Sequence, residues 1–243
     1  MDGFTAESYG DAFADVYDDW YGDLPDTEGA VDAIARLAAG GPVLELGVGT
    51  GRVALPLAAR GVAVHGIDAS RAMLDRLRAK PGADAVGLSL GDFADVAVDG
   101  SFSVVVATYN TFFSLITEED QRRCLANAAR RLRRGGAVVI EGFVPDPDAP
   151  TADVTPKVVE ADRVVLHVTV LDPTAQTLRG QHVTLSAAGV ELRPSFLRWA
   201  TPEQLDAMAA AAGLALDARW AGWRQEPFGA DSGRHVSIYR LRG

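Results

Sequence analysis

The stretch Val43-Leu44-Glu45-Leu46-Gly47-Val48-Gly49-Thr50-Gly51 decides the fold of this chain. Strand-forming residues run into three glycines at alternating positions, and a second apolar segment, residues 62–67, ends on Asp68. Glycine lets the backbone approach a ligand because a side chain there would clash, and a carboxylate can accept hydrogen bonds from two ribose hydroxyls. A strand, a glycine turn, a helix and a second strand that closes on an acid are typical of sites for adenosine-containing cofactors.

The spacing of the glycines separates two kinds of cofactor site. A dinucleotide site has the pattern Gly-x-Gly-x-x-Gly, whereas the glycines here alternate from Gly47 to Gly51 and are followed directly by Arg52. With Glu45 just before the turn, this segment resembles the first motif of the class I S-adenosylmethionine (AdoMet)-dependent methyltransferases. The resemblance covers most of the chain between residues 11 and 142, and it implies an AdoMet-binding enzyme with an α/β fold.

This resemblance implies a set of cofactor contacts. In that class an acid after the second strand holds the ribose, an acid after the third strand accepts a hydrogen bond from the adenine amino group, and apolar side chains lie beside the adenine ring. The acid before the glycine turn attracts the cationic methionine half of AdoMet, directly or through water. The predicted contacts are Tyr17, Glu45, Gly47, Gly49, Gly51, Asp68, Ala69, Met73, Gly91, Asp92, Phe93 and Thr108. Met73 and Phe93 suit a plain core position equally well.

The segments around the motif alternate between strand and helix patterns. Residues 102–107 form a continuous apolar run, which is typical of a parallel strand covered on both faces. Gly135 and Gly136 predict the end of a helix, and residues 137–140 predict the fifth strand. Residues 155–199 contain no convincing helix and predict an antiparallel meander of three extended runs. The predicted fold class is α/β, a doubly wound, Rossmann-like, seven-stranded sheet with a small antiparallel β insertion after strand five.

These patterns divide the chain into four segments. We expect an N-terminal lid segment at residues 1–28, an AdoMet-binding α/β core at 29–150, an inserted antiparallel β meander at 151–200, and a C-terminal completion of the core at 201–243. The last of these segments supplies one helix and two strands. The lid is expected because residues 14–21 are dense in aromatic and acidic side chains.

The acceptor side of the site is predicted from three other segments. Tyr109 and Asn110 follow the fourth strand at the carboxyl edge of the sheet, where ligands bind in such folds, and are expected to border the transferred methyl group. The N-terminal segment, the insertion and the tail near Arg234 resemble the TDP-amino-sugar N-methyltransferases, which implies that Tyr21 reaches the active site. His182 is a candidate general base because some meander side chains face the cleft, although a structural histidine is the commoner case.

Composition limits the partners of the chain. The net charge is −10, and proteins that grip a phosphate backbone usually have a basic face, so nucleic acid is disfavoured. No apolar run is long enough to span a membrane, and the acidic start has no signal segment, which predicts a cytoplasmic protein. No compact cluster of His, Asp and Glu indicates a metal site. We expect a small-molecule acceptor, no nucleic acid, no membrane and no metal, with a homodimer as a possible assembly.

The chemistry of methyl transfer narrows the acceptor. A neutral amine needs alignment and a route for its proton, whereas a hydroxyl needs a base in the transition state. No base stands out in this sequence, which favours a nitrogen or an easily ionised oxygen of a small molecule, such as a sugar or another natural-product intermediate. Three alternatives stay open: an NAD-dependent oxidoreductase, a non-catalytic AdoMet-binding protein, and a protein or RNA methyltransferase, which would normally offer a larger charged docking surface.

Overall fold

The computed structural model describes residues 3–22, 24 and 26–241. Its helices are α1 (Ser8–Phe13), α2 (Tyr17–Tyr21), α3 (Thr27–Ala38), α4 (Ala54–Ala59), α5 (Arg71–Arg78), α6 (Glu118–Arg130) and α7 (Pro202–Ala211). Its strands are β1 (Val43–Leu46), β2 (Val64–Asp68), β3 (Val86–Leu90), β4 (Phe102–Ala107), β5 (Leu132–Phe143), β6 (Ala152–Val159), β7 (Arg163–Asp172), β8 (Thr177–Ser186), β9 (Gly189–Arg198), β10 (Leu214–Trp220) and β11 (Arg234–Leu241). Residues 1–2, 23, 25 and 242–243 of the predicted end segments lie outside the described residues.

The strands form two sheets, as the sequence predicts. The larger sheet has seven strands in the order β10-β11-β5-β4-β1-β2-β3, and the smaller has four in the order β6-β7-β8-β9. Strand β1 pairs in parallel with both β2 and β4, whereas β11 runs antiparallel between β5 and β10. The α/β class, the seven-stranded Rossmann-like sheet and the antiparallel insertion after β5 are thereby confirmed.

Apolar side chains cover both faces of the seven-stranded sheet. One cluster of buried residues contains Leu44, Val105 and Ile140 with residues from α6 and α7, and the other contains Val43 and Val104 with residues from α3 to α5. Alternate residues of β1 and β4 therefore enter opposite layers, because successive side chains of a strand point to opposite faces. This burial on both sides explains the continuous apolar runs of the central strands.

The end of α6 and the start of β5 differ from the sequence prediction. Strand β5 begins at Leu132 and passes through the two glycines that were expected to end a helix. A Cβ at Gly136 would lie 3.0 Å from the carbonyl oxygens of Phe102 and Ser103, and the β4–β5 register shifts at this point. The glycines thus allow a close backbone approach inside a strand.

The insertion contains four strands where three were predicted. The additional strand, β6, contains Pro156 and lies at the edge of its sheet. Proline lacks a backbone N–H, so it is tolerated on an edge strand, but in a sequence it lowers the strand signal. No helix among the described residues is long and apolar enough to cross a membrane.

Candidate cofactor and acceptor site

The glycine turn leaves open space at one position. All three glycines have positive φ, which only glycine adopts without strain. A Cβ at Gly47 would lie 2.4 Å from the Thr111 side chain, and one at Gly51 would lie 2.9 Å from Leu77. A Cβ at Gly49 would meet nothing within 4 Å. The outer glycines are therefore required by packing, whereas the middle one faces the cleft.

The carboxylate of Asp68 fastens the turn to the end of β2. One oxygen accepts a hydrogen bond from the backbone N–H of Gly49 at 2.8 Å, and the other accepts one from Ser70 at 2.9 Å. Burial raises the pKa of Asp68, and these two hydrogen bonds oppose the rise. Each carboxylate oxygen has a second lone pair, so Asp68 keeps acceptor capacity for two ribose hydroxyls.

Glu45 and Arg52 have polar atoms without partners beside the turn. Glu45 is only 3% exposed, and its Oε2 atom has no hydrogen-bond partner among the described residues. The Nε and Nη1 atoms of Arg52 are likewise buried and unsatisfied within that part of the chain. Burial raises the pKa of Glu45 to about 8, although nearby Arg52 acts in the opposite direction. Buried polar atoms are costly to leave unpaired, which indicates a ligand site.

The ring of Tyr109 lies against the guanidinium of Arg52. The Arg52 guanidinium lies 3.6 Å from the centroid of the Tyr109 ring, a cation–π contact. The backbone N–H of Tyr109 donates to Glu141 at 2.7 Å, and its hydroxyl lies 3.1 Å from the Thr27 hydroxyl. Tyr109 has a φ of 51°, a left-handed conformation that these contacts hold. Tyr109 thus has a positioning contact with Arg52, and its predicted place beside the methyl group stays a prediction.

A small cavity lies beyond the end of β3. It has a volume of about 190 Å³ and is lined by Asp92, Phe93 and Leu115 together with residues 4–6 of the N-terminal segment. One Asp92 oxygen accepts a hydrogen bond from the N–H of Ala94 at 2.8 Å. An acid beside an aromatic wall suits the amino edge and the face of a purine.

The N-terminal helices contact the glycine turn and the start of α5. Asp18 of α2 accepts a 2.6 Å hydrogen bond from the Thr50 hydroxyl and a 2.7 Å bond from the ammonium of Lys80. The Ser70 hydroxyl donates to Asp11 of α1 at 2.6 Å. Gly10 lets α1 approach this closely, because a Cβ there would lie 2.4 Å from the Cβ of Ser70. The segment that was expected to act as a lid therefore contacts two parts of the cofactor motif.

Tyr21 of α2 and His182 of β8 lie next to each other, and their predicted roles at the active site stay predictions. The Tyr21 hydroxyl lies 3.5 Å from Nε2 of His182, at the outer limit of hydrogen-bonding distance. His182 is buried, stacks on His167 with ring centroids 4.2 Å apart, and has an Nδ1 atom without a partner among the described residues. Burial, followed by the charges of His167, Lys157 and Arg193, lowers the pKa of His182 to about 4. His182 is therefore neutral near pH 7.

The other predicted site residues have local partners. Met73 is buried against Phe13 of the N-terminal segment, and its backbone N–H donates to the Ser70 side chain. The Asn110 side chain accepts a 2.8 Å hydrogen bond from the N–H of Phe143, which ties the loop after β4 to the end of β5. Tyr17 lies near the charges of Glu45, Arg52 and Asp68. Ala69, Gly91 and Thr108 lie on the strand ends that border the turn. Their predicted roles stay predictions.

Sequence reasoning missed three residues that the structure brings to this site. Arg52 was noted only as the residue that breaks the dinucleotide pattern. Glu141 directly follows the apolar run of residues 137–140, and an acid next to such a run, as at Glu45, could have indicated it. Tyr9 packs against Tyr17 and Tyr21, and burial raises its pKa well above the ordinary value. The chain gives no local signal that Tyr9 joins the other two tyrosines.

These residues fit the functional groups of AdoMet. Glu45 and Arg52 offer an acid and a cation with unpaired atoms side by side, which matches the ammonium and carboxylate of an α-amino acid. Asp68 matches a ribose, and the Asp92 cavity matches an adenine. The open space at Gly49 leaves room for the ligand between them.

Comparisons with known proteins agree with this geometry. A family model described as a methyltransferase domain matches residues 43–136. The chain is 31% identical over 196 residues to the cypemycin N-terminal methyltransferase of Streptomyces sp, a match that covers 79% of this chain and 80% of that protein. The CcbJ methyltransferase from Streptomyces caelestis has a TM-score of 0.92 and 42% identity, with 99% of this chain and 100% of that chain covered. The SAM-bound amino pentose methyltransferase CalS10 from Micromonospora echinaspora shares the fold, with a TM-score of 0.69, 24% identity, and coverage of 98% and 99%.

Glu45 should lose its proton when AdoMet binds. Its pKa of about 8 leaves it mostly protonated at pH 7, and a neighbouring ammonium favours the carboxylate. Calorimetry at pH 7 in buffers of different ionisation enthalpy should show that the wild type releases about one proton more than Glu45→Gln. The affinity of the wild type should also rise with pH up to about 8, and that of Glu45→Gln should not. Equal proton release by the two proteins would remove Glu45 from the ammonium site.

Arg52 should recognise the cofactor carboxylate. Arg52→Gln should weaken AdoMet binding by about 1.5–3 kcal/mol, or roughly 10- to 100-fold, because a charge-assisted hydrogen bond is lost. Decarboxylated AdoMet, which lacks that carboxylate, should bind the wild type and Arg52→Gln with nearly equal affinity. The two ligands are compared by calorimetry under the same buffer conditions. An equal loss of affinity for both ligands would show that Arg52 supports the structure of the site and does not bind the carboxylate.

Proposed function

Because this chain belongs to the class I AdoMet-dependent methyltransferases, we propose that it methylates a nitrogen or oxygen of a small molecule, with an amine nitrogen as the preferred acceptor. The observation that supports the amine is the pair of Tyr21 and His182 at the acceptor side of the cleft. Neither group is charged near pH 7, and neither is a strong base. Such a pair can align a neutral amine but is poorly suited to ionise an alcohol.

The proposed binding roles follow from the unpaired atoms of the site. Glu45 holds the ammonium of AdoMet, Arg52 its carboxylate, Asp68 its ribose and Asp92 its adenine amino group. When bound, AdoMet supplies a methyl group on a cationic sulfur that is already a good leaving group. The protein therefore contributes mainly by positioning the two reactants and excluding water.

The Tyr21 hydroxyl is proposed to orient the acceptor nitrogen. His182 holds that hydroxyl, since its Nε2 atom faces Tyr21 and its low pKa keeps it neutral and able to accept a hydrogen bond. Once the nitrogen has gained the methyl group it carries a positive charge, and its proton must leave. Tyr21 can relay that proton toward solvent, whereas His182, with its low pKa, accepts only a hydrogen bond.

The N-terminal segment, residues 1–28, is proposed to act as a lid. This segment contacts the glycine motif and Ser70, which follows the proposed ribose site. Closure of the lid is therefore coupled to AdoMet binding at these two places. Arg193 of the insertion, 6% exposed, forms an ion pair with Asp15 of this segment. The lid therefore bridges the core and the insertion, and it encloses the acceptor from the side opposite the sheet.

A natural-product intermediate that carries an amine, such as an amino sugar or a peptide N-terminus, is the proposed acceptor class. The cypemycin relative is an N-terminal methyltransferase, which supports an amine as the acceptor. The acidic balance of the chain, −10, supports a neutral or cationic acceptor over an anionic one.

The acceptor class is tested with paired compounds and labelled AdoMet. Each pair consists of an amine and the alcohol that differs only by replacement of the amino group with a hydroxyl. We expect methylated amines, detected as a mass gain of one methyl group, and turnover of the matched alcohols lower by at least about 100-fold. Asp68→Ala is the control for cofactor-dependent transfer. Preferred turnover of the alcohols would contradict the amine assignment and leave methyl transfer itself intact.

Tyr21 and His182 are expected to act as one unit. Tyr21→Phe and His182→Asn should each lower kcat about 5- to 10-fold, as expected for loss of one hydrogen bond, with the AdoMet Kd changed less than about twofold. The double variant should be little worse than the poorer single variant, because both substitutions remove the same contact. His65→Asn, which removes a histidine bonded to Ser89 outside the acceptor side, is the matched control. If the kcat losses of the two single variants add up in the double variant, Tyr21 and His182 act independently.

A further inference from the structure

The turn after β4 places a bulky residue where glycine is normally found. Tyr109 and Asn110 have φ values of 51° and 64°, and the N–H of Thr111 donates to the carbonyl of Thr108 at 3.0 Å. Positive φ at both central residues is the pattern of a type I′ turn, which Gly, Asn and Asp dominate. Asn110 fits that preference and Tyr109 does not. A strained residue of this kind persists only where the surrounding structure enforces it.

The end of β5 supplies that support at both residues. The carboxylate of Glu141 accepts a hydrogen bond from the backbone N–H of Tyr109 at 2.7 Å. The backbone N–H of Phe143 donates to the Asn110 side chain at 2.8 Å. Both contacts come from the strand that lies beside β4 in the sheet. The neighbouring strand thus keeps Tyr109 in a conformation that its own side chain disfavours.

Glu141 is an acid that the core accommodates at a cost. It is 5% exposed, and burial raises its pKa. The hydrogen bond from Tyr109 is the largest effect that opposes the rise in pKa, and the Trp223 side chain and the charge of Arg234 act in the same direction. Because an unpaired buried acid is costly, the Glu141 carboxylate and the Tyr109 N–H stabilise each other.

This support fixes the position of the Tyr109 ring. The Arg52 guanidinium lies 3.6 Å from the centroid of the ring, and the Tyr109 hydroxyl lies 3.1 Å from the Thr27 hydroxyl. A planar guanidinium stacked on a ring keeps its fork of N–H donors in one plane. The buried Nε and Nη1 atoms of Arg52 have no partner among the described residues, so that fork is available to a ligand carboxylate.

We propose that Glu141 is a positioning residue for recognition of the AdoMet carboxylate, and that it acts on Arg52 through Tyr109. Glu141 holds the left-handed turn, the turn presents the Tyr109 ring, and the ring sets the plane of the Arg52 guanidinium. None of these steps uses the Tyr109 hydroxyl or a proton transfer by Glu141. The proposal rests on the role given to Arg52 in the proposed function.

A general base for the acceptor is the other role open to a buried acid at this edge of the sheet. A base must take up a proton, so Glu141→Gln would abolish that role. The glutamine side chain keeps a carbonyl oxygen that can accept the Tyr109 N–H, so the same variant preserves the positioning role. Glu141→Leu removes the hydrogen-bond acceptor and ends both roles.

Calorimetry with AdoMet and with decarboxylated AdoMet tests the proposal without an acceptor. Only AdoMet has the carboxylate, so the ratio of the two dissociation constants reports on Arg52, and a general loss of stability cancels from it. We expect Glu141→Leu and Tyr109→Leu each to reduce the preference for AdoMet about 5- to 10-fold, because the guanidinium loses an aligned stacking partner. Glu141→Gln and Tyr109→Phe are the matched controls and should keep the wild-type ratio to within about twofold.

Two further variants make the test independent of a single substitution. The double variant Glu141→Leu/Tyr109→Leu should show no greater loss of preference than Tyr109→Leu, because both substitutions act through one ring. Glu141→Asp keeps the charge but is one methylene shorter than the wild-type side chain, so it should lower the preference as well. If thermal unfolding shows that Glu141→Leu is not folded, Glu141→Asp decides the outcome.

The outcomes separate this proposal from the function on which it rests. A wild-type preference for AdoMet in Tyr109→Leu, or in the folded variants that lack the Glu141 contact, would overturn the proposal, as would a loss in Glu141→Gln as large as in Glu141→Leu. If Arg52→Gln still removes the preference in these cases, the role of Arg52 stands and only the positioning by Glu141 is wrong. If Arg52→Gln keeps the preference, the role of Arg52 is wrong and the positioning proposal fails with it.

Discussion

The two hydrogen bonds of the Asp68 carboxylate are the constraint on which the site depends. They join the end of β2 to the glycine turn at Gly49 and to the start of α5 at Ser70. Ser70 in turn holds Asp11 of the N-terminal segment. A single partly buried acid thus orders the cofactor loop, the next helix and the segment above them. Its raised pKa reflects the cost of this burial, which the backbone N–H groups offset in part.

The cofactor end of the cleft is organised by ionisable groups that are buried without all of their hydrogen-bond partners. Glu45 and Arg52 lie near each other, yet each keeps atoms without a partner among the residues described. The ring of Tyr109 fixes the plane of the Arg52 guanidinium, and Glu141 fixes the backbone of Tyr109. Such an arrangement costs stability in the free protein. That stability is recovered when a zwitterionic ligand satisfies both groups. The positioning of the ligand is therefore prepared before it binds.

The two faces of the inserted sheet have different surroundings. The inner face brings His182 to Tyr21 and Arg193 to Asp15, so that the acceptor side and the lid share one support. The outer face contains apolar rows that the chain itself leaves uncovered. Because side chains alternate along each strand, a change in register by one residue would exchange these roles.

Local sequence determined the parts of this protein whose causes are local. The glycines of the turn, the acid after β2 and the box in which Thr201 and Gln204 cap α7 each depend on neighbours within a few residues. The tertiary structure decided what depends on distant chain segments. Tyr21 and His182 are 161 positions apart, Tyr109 meets Glu141 across two strands, and the glycines of β5 enter a strand because β4 lies against them. Sequence patterns specify backbone conformation over short spans, whereas only packing brings together charges from separate strands.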